Sequence, residues 1–226
     1  MSPAASGFAD LDAPGGPLER DTPPDAFESL MDALVARLRE RGFSGLAFVR
    51  PDPFGEAGAR LVQALSSPPL QANAEWIART NPPRDRAVEL MPIDALGEEG
   101  ARRLGGLGYQ QVLVVCIPVL GEACCEFWLF STSAHVREEH LGATTLALMR
   151  DWPAWREALR AAVCPLTPRE REVLQAVAEG LKGADAQERF GYTERTFRLH
   201  VENAKRKMRA ANGSQAVYRA HLMCGL

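Results

Sequence analysis

The side chains with the clearest capacity for chemistry are the guanidinium and carboxylate groups that recur near the C-terminus. Successive residues of a helix lie about 100° apart, and this spacing puts one set of side chains on a single face: Arg195, Arg198, Leu199, Glu202 and Arg206. Arginine can pair with guanine, and glutamate with cytosine, in the major groove of DNA, so this face is suited to reading base pairs. Taken alone, however, the face is explained better as a solvated helix surface of mixed charge.

Other groups that could bind a metal or act in catalysis form no such pattern. The five cysteines match no metal-ligand spacing, and Cys124 and Cys125 are neighbours on a predicted strand, so they point to opposite faces. His135 and Glu139 could share a helix face, but a solvated helix start explains them better. We therefore expect reduced thiols in a reducing cytosol, with no metal site, no cofactor and no catalytic residue. The protein is predicted not to be an enzyme.

Helices that would position the arginine-bearing face are predicted on its N-terminal side. The run Thr167-Pro168-Arg169-Glu170 combines a capping hydroxyl, a proline at the first helical position and a glutamate at the third, which is the pattern of a capping box. A second short helix is predicted from Gly183 to Phe190. The tight turn Gly191-Tyr192-Thr193 then leads into the third helix, which begins at Glu194 and is capped by Thr193. A short helix and a tight turn before a third helix predict a helix-turn-helix unit.

Charge is divided unevenly along the 226 residues. Residues 165–226 hold 11 Lys or Arg and 7 Asp or Glu, a net charge of +4, whereas residues 1–164 carry −7. A basic segment joined to an acidic one is typical of a nucleic-acid-binding domain attached to another domain, and a chance division of surface charge is the alternative. Every lysine lies in the basic segment, at positions 182, 205 and 207. The first 164 residues therefore lack the lysine that a phosphorylated receiver or a P-loop requires.

The basic segment resembles the LuxR-type four-helix DNA-binding domain. The similarity is carried without a gap by LTPREREVLQAVAEGL and ERFGYTERTFRLHVENAKRKMRAANGSQAV. It implies an all-α domain over 164–226, in which Arg198, Leu199 and Glu202 meet base edges. The complete set of DNA-contacting residues expected from the face and the resemblance is Thr193, Arg195, Thr196, Arg198, Leu199, Glu202, Asn203, Arg206 and Lys207. Of these, Thr196, Arg206 and Lys207 would hold phosphates.

The resemblance also implies an assembly and shows departures from the family. Ser214–Met223 would be the fourth helix, which forms the dimer contact in relatives, so a homodimer would read a two-fold symmetric site on double-stranded DNA. Arg209 replaces a common glycine, and Glu202 occupies a position that is often basic or small. These changes bear on affinity and sequence preference more than on the fold.

The rest of the chain is predicted to form a disordered arm, 1–24, and a sensor-like domain, 25–163. The arm is rich in Pro, Gly, Ala and Asp without periodicity. The domain is expected to be an α+β helix–antiparallel sheet–helix sandwich. Its predicted elements are a helix near Phe27–Leu38, a strand over Phe43–Val49, helices near Gly58–Leu65 and Ala72–Arg79, a loop over 81–92, a short helix over Glu98–Leu104, strands over Gln111–Leu120 and Cys124–Ser131, and a closing helix over Thr144–Val163 with a kink or break at Pro153.

This layout resembles the acyl-homoserine-lactone-binding domain of quorum-sensing regulators. The similarity rests on GFSGLAFVR, on the EW pair at Trp76 and on FWLFSTS. The Asp-Pro that binds the ligand's amide in that family is missing, and Asp85, Glu89 and Asp94 are only loosely placed substitutes, so the usual ligand is expected to be lost or altered. A pocket for a small amphipathic ligand such as an acyl-homoserine lactone would be lined by Phe48, Trp76, Phe127 or Trp128. Plain core packing is the alternative for each aromatic residue.

Location and overall function follow from these features. No apolar run approaches the roughly 20 residues of a membrane span, and MSPAASGFADLDAPGGP has neither the basic start nor the apolar core of a signal peptide. We expect a cytoplasmic homodimeric transcription regulator that binds specific DNA, with a sensor for a small molecule at its N-terminus. The alternative is a regulator that acts without ligand, its N-terminal domain serving dimerisation or protein–protein interaction.

Overall fold

The computed structural model describes residues 26–83, 86–121 and 123–224. The predicted disordered arm, 1–24, and Asp85 lie outside the described residues. The N-terminal region contains α1 (Ala26–Arg39), β1 (Gly45–Pro51), β2 (Arg60–Leu65), α2 (Pro68–Gln71), α3 (Ala74–Arg79), β3 (Val88–Pro92), α4 (Gly97–Gly100), β4 (Gln111–Leu120), β5 (Ala123–Ser131) and α5 (Glu138–Val163). A 3₁₀ turn, Ile93–Leu96, precedes α4, and a π turn, Ala101–Gly105, follows it.

Five antiparallel strands form one sheet in the order β2-β1-β5-β4-β3. The central hairpin of β4 and β5 matches the two strands expected from sequence. Two expectations at the sheet edges are wrong: the segment predicted as helical, 58–65, contains β2, and the segment predicted as a loop, 81–92, ends in β3. Both are edge strands of five or six residues, so their pairing with β1 and β4 decides their conformation, which local periodicity does not.

Helices cover both faces of the sheet, as the sandwich prediction requires. The first face packs on α1 and α5 through a cluster of buried apolar residues that includes Phe27, Leu34, Phe48, Leu113, Phe127, Leu129 and Trp155. The second face packs on α2, α3 and the turns around α4 through another cluster, which includes Ala47, Leu70, Ile77, Leu104, Val114, Trp128 and Phe130. Because alternate residues of a strand point to opposite sides, each central strand contributes to both clusters.

The closing helix α5 leads directly into the C-terminal domain. It is continuous across Pro153, where the sequence predicted a kink or break, and it ends at Val163 with Cys164 in an extended conformation. Cys164 is disulfide-bonded, whereas Cys116, Cys124 and Cys125 are in the reduced, thiol form. The expectation of five reduced thiols is therefore wrong for Cys164, because the sequence does not show which thiols the fold brings together.

Four helices form the C-terminal domain: α6 (Pro168–Ala178), α7 (Gly183–Phe190), α8 (Glu194–Lys207) and α9 (Gly213–Cys224). The predicted capping box is present at the start of α6. The backbone N–H of Glu170 donates to Thr167 Oγ1 over 3.2 Å, and the backbone N–H of Thr167 donates to Glu170 Oε2 over 2.8 Å. Among the described residues, no helix is both long and apolar enough to span a membrane.

Candidate functional site

A tight turn and a side-chain cap set the start of α8. Gly191 adopts a φ of +71°, which glycine reaches without steric cost, and Thr193 then caps the helix by accepting the backbone N–H of Thr196 over 3.2 Å. The preceding helix approaches closely at Gly183, where a Cβ atom would lie 2.3 Å from the side chain of Glu194. The first turn of α7 is therefore packed directly against the first turn of α8.

The two sides of α8 differ in burial as the periodicity predicts. Phe197, Ala204 and Met208 are buried in the domain core. The opposite side is exposed at Arg195, Arg198, Leu199, Glu202 and Arg206. Leu199 is 59% exposed, which is high for a large apolar side chain in a folded domain. A projecting aliphatic group among guanidiniums is suited to contact with a thymine methyl group beside base edges.

The charged groups of α8 pair mainly with one another. Arg198 donates to Glu194 one turn earlier, Lys205 donates to both carboxylate oxygens of Glu202 over 2.8 and 3.0 Å, and Arg206 donates to the side chain of Asn203. Arg195 makes no hydrogen bond or ion pair to any residue that the structure describes. Such exposed pairs contribute little to stability, so phosphates and bases can replace them at low cost.

Lys207 differs from its neighbours because its partner belongs to the core of the domain. Its Nζ lies 2.7 Å from Oε2 of Glu170, the capping-box carboxylate, which is only 4% exposed. The structure thus gives this predicted phosphate contact a role in holding α8 against α6.

A cation–π contact joins the two domains beyond the end of α8. Arg209 has a φ of +50°, the left-handed conformation that suits the glycine common at this position in the family that the sequence resembles. Its guanidinium lies 5.2 Å from the ring centre of Phe54, which belongs to the connection between β1 and β2, and Arg219 of α9 lies 5.7 Å from the same ring. The N-terminal domain therefore contacts the segment that follows α8.

The sheet separates the four aromatic residues that were expected to line a ligand pocket. Phe48 and Phe127 lie on the α1 and α5 face, with their ring centres 4.9 Å apart and both close to Trp155. Trp128 is buried on the other face, and Trp76 packs against that cluster from α3. The four residues therefore form two pairs on opposite sides of the sheet, and they do not line one common pocket.

A buried polar cluster lies on the same face as Trp128. Glu126 is fully buried in β5 and accepts hydrogen bonds from Arg60, over 2.7 and 2.9 Å, and from the indole N–H of Trp128, over 2.7 Å. Arg60 also donates to the carbonyl of Thr80. The sequence analysis did not predict this cluster. The available signal was strand alternation, because Trp128 follows Glu126 by two residues in β5 and so lies on the same side of the sheet.

A groove of about 960 Å³ opens between the two domains beside this cluster. One wall is the β1–β2 connection together with the turn between β4 and β5, and the other wall is α9, through Gln215, Tyr218, Arg219 and Leu222. Cys124 and Glu126 line the groove where it meets the sheet.

A capped helix pair, joined by a glycine turn and exposing arginines on its second helix, defines a helix-turn-helix DNA-binding domain. Residues 164–220 match the family of bacterial regulatory proteins known as the luxR family, and the C-terminal domain belongs to it. The sequence predicted a transcription regulator and not an enzyme, and the matched family is one of regulatory proteins.

Comparison with known proteins supports the same assignment. Over 79 residues the chain is 33% identical to the nitrate/nitrite response regulator protein NarL of Escherichia coli K12, and the match covers 35% of this chain and 37% of NarL. The chain thus spans just over a third of the length of that relative.

The architecture of the whole chain is also found in solved structures. Escherichia coli SdiA matches with a TM-score of 0.53 and 20% identity, covering 88% of this chain and 92% of that one. SdiA in complex with octanoyl-rac-glycerol matches with a TM-score of 0.51 and 19% identity, covering 87% and 88%. The order of an α+β sandwich followed by a helical domain is therefore a known fold.

Proposed function

We propose that the protein is a transcription regulator that binds a specific DNA site as a homodimer and senses a small amphipathic molecule through its N-terminal domain. The observation that carries this function is the exposed face of α8 on a LuxR-type domain. On that face, Arg198, Leu199 and Glu202 read base edges. Thr196, Arg206 and Lys207 hold phosphates, and Thr193, Arg195 and Asn203 help to position the helix. Lys207 also contacts the domain core through Glu170.

DNA recognition is tested by selecting binding sites from a random duplex library with the full chain. Arg198→Ala is expected to lower discrimination at one base pair of the selected site, since a good arginine–guanine pair contributes about 1–3 kcal/mol. Arg150→Ala, which removes an exposed arginine of α5 on the other domain, is the matched control. Equal site preference in both variants would contradict the assigned face.

The homodimer is proposed to form through α9. Tyr218 is large and 49% exposed on this helix, and it lies one turn after the exposed Ser214. Tyr218→Glu is expected to shift the protein toward monomer in sedimentation velocity. Leu146→Glu tests another exposed apolar position, on α5, where the side chain is 71% exposed. If only the Leu146 variant loses the dimer, the dimer interface is on α5 and not on α9.

The sensor function is proposed for the face of the sheet that carries Trp76 and Trp128. The antiparallel register pairs Glu89 of β3 with Val114, whose side chain belongs to the same cluster, so a carboxylate stands beside an apolar layer. An apolar layer with a few polar groups suits an amphipathic ligand. The fold match to SdiA in complex with octanoyl-rac-glycerol supports this class of ligand.

Ligand binding is tested by thermal unfolding of the full chain with acyl-homoserine lactones and with monoacylglycerols. A ligand present at about one hundred times its dissociation constant should add about 2.7 kcal/mol to the free energy of unfolding. Trp76→Ala should abolish the shift, and Trp152→Ala, on the opposite face of the sheet, should preserve it. A folded dimeric protein that responds to no member of either series would favour the ligand-independent alternative.

A further inference from the structure

Two cysteines and a glutamate from the central hairpin meet beside the groove between the domains. Cys116 of β4 and Cys124 and Glu126 of β5 each offer one ligand atom, and these three atoms all lie within 4.8 Å of one another. The sequence did not predict this cluster, because Cys116 and Cys124 are eight residues apart and are brought together only by the register of the hairpin.

The separations within the cluster fit two edges of a tetrahedral metal site. The Sγ atoms of Cys116 and Cys124 are 3.6 Å apart, and Cys124 Sγ is 3.7 Å from Glu126 Oε1. Two sulfurs bound to one zinc ion at about 2.3 Å lie about 3.8 Å apart at the tetrahedral angle, and a sulfur and a carboxylate oxygen lie about 3.5 Å apart. Both observed separations are within about 0.2 Å of these values.

A disulfide between the same thiols is disfavoured by the register of the strands. Cys116 stands opposite Glu126, and Cys124 stands opposite Pro118, so the two cysteines occupy diagonal positions. Diagonal neighbours in an antiparallel pair are about 7–8 Å apart at Cα, beyond the usual span of a disulfide. Two sulfurs that bind one ion need no such close approach of the backbone.

The groups around the cluster would hold the carboxylate in place. Glu126 is oriented by Arg60 and by the indole of Trp128, which are the kind of hydrogen-bond partners that support ligating carboxylates in metal sites. The net charge of the occupied site would be zero, because the two positive charges of the ion and the one of the adjacent guanidinium balance those of two thiolates and one carboxylate. The buried site would therefore carry no uncompensated charge. Cys125, in contrast, points to the other face, where burial raises the pKa of its thiol to about 12.

We propose that Cys116, Cys124 and Glu126 form a binding site for Zn²⁺ or a divalent ion of similar softness, with the fourth position open to the groove. Binding releases the two thiol protons, since the thiolate is the metal ligand, and involves no change of oxidation state. The ion enters by way of Cys124, which is half-exposed and lines the groove together with Tyr218 and Arg219 of α9. The site thus lies where the sensor domain faces the DNA-binding domain.

The proposal is tested by titrating the full chain with Co²⁺ in the presence of a phosphine reductant and then displacing Co²⁺ with Zn²⁺. One ion per chain is expected, with thiolate-to-cobalt charge-transfer absorption and the strong visible bands of tetrahedral Co²⁺. Cys116→Ala and Cys124→Ala should each abolish the charge-transfer bands. Glu126→Gln should keep them but weaken binding at least tenfold.

Matched controls use cysteines outside the cluster. Cys125→Ala and Cys164→Ala should bind Co²⁺ as the unmodified protein does. Zn²⁺ should also protect Cys124 of the unmodified protein from iodoacetamide at least tenfold, as read by mass spectrometry, and this readout does not depend on whether a variant folds. A cobalt spectrum without thiolate bands, equal loss in the Cys125 variant, or unprotected Cys124 would overturn the proposal.

Discussion

The ammonium group of Lys207 lies 2.7 Å from the carboxylate of Glu170, and this ion pair ties the last turn of α8 to the capping box that begins α6. Glu170 therefore has two partners, the backbone N–H of Thr167 and the side chain of Lys207. This contact adds to the buried packing of Ala204 and Met208 in holding α8 against the rest of the domain. The sequence predicts that Lys207 contacts a phosphate of the DNA, and the geometry gives it a further role within the fold.

Replacing Lys207 is expected to destabilise the protein. Lys207→Met leaves a nearly buried carboxylate without its cation and should lower the free energy of unfolding by about 2 kcal/mol, as measured by urea denaturation. Lys205→Met, which removes a lysine paired with the exposed Glu202, should cost less than about 0.5 kcal/mol. Unchanged stability of the Lys207 variant, together with a shallower salt dependence of DNA binding, would instead assign Lys207 to a phosphate.

The contact between Phe54 and Arg209 is expected to offset backbone strain at Arg209. Arg209→Gly relieves the left-handed conformation, a gain of about 1 kcal/mol, but it removes a cation–π contact worth about 0.5–1 kcal/mol. The substitution should therefore stabilise the protein more in a Phe54→Leu background than alone. A double-mutant cycle read by thermal unfolding measures the difference, and a coupling energy of zero would show that the contact contributes nothing.

Stability in acid should depend on Asp151, which connects α5 to Arg37 of α1. A hydrogen bond from Arg150, with another from Arg37, lowers the pKa of Asp151, although burial acts in the opposite direction. A lowered pKa in the folded state contributes stability above the unfolded pKa of about 3.9, and this contribution is lost as pH falls through the folded value.

Asp151→Asn is therefore expected to be less stable than the unmodified protein at pH 6, by less than about 1 kcal/mol because both arginines are partly exposed. The difference should shrink as the pH falls below the unfolded pKa of about 3.9 and vanish once the pH is below the lowered folded pKa. Urea denaturation across this pH range measures it. A difference that persists into strong acid would indicate a packing effect of the substitution rather than a charge effect.

Local signals predicted the C-terminal domain well. Each signal that predicts α6, α7 and α8 is encoded within a few residues of the sequence. These signals are the capping box at Thr167, the turn at Gly191 and the apolar stripe through Phe197. The edge strands β2 and β3 were missed because their conformation depends on hydrogen bonds to β1 and β4, which the local residue pattern of an edge strand does not reveal.

The N-terminal domain shows which structural predictions require the register of the strands to be known. Phe127 and Trp128 are adjacent in a strand, so strand alternation alone was sufficient to place them on opposite faces. Strand alternation alone does not predict the cluster of Cys116, Cys124 and Glu126. Its prediction also requires the register of β4 with β5, which brings the three residues together. The ion pair of Lys207 with Glu170 likewise depends on how two helices pack.

The groove between the domains has one wall from the sheet and its connections and one from α9, so a molecule that spans the groove contacts both parts of the protein. If that molecule binds the arrangement seen here more tightly than the arrangement required on DNA, it lowers DNA affinity by the ratio of its two dissociation constants. Thermodynamic reciprocity then fixes the converse: DNA must lower the affinity of the groove for that molecule by the same factor. A titration at the groove, with and without DNA, would therefore report the coupling free energy between the domains.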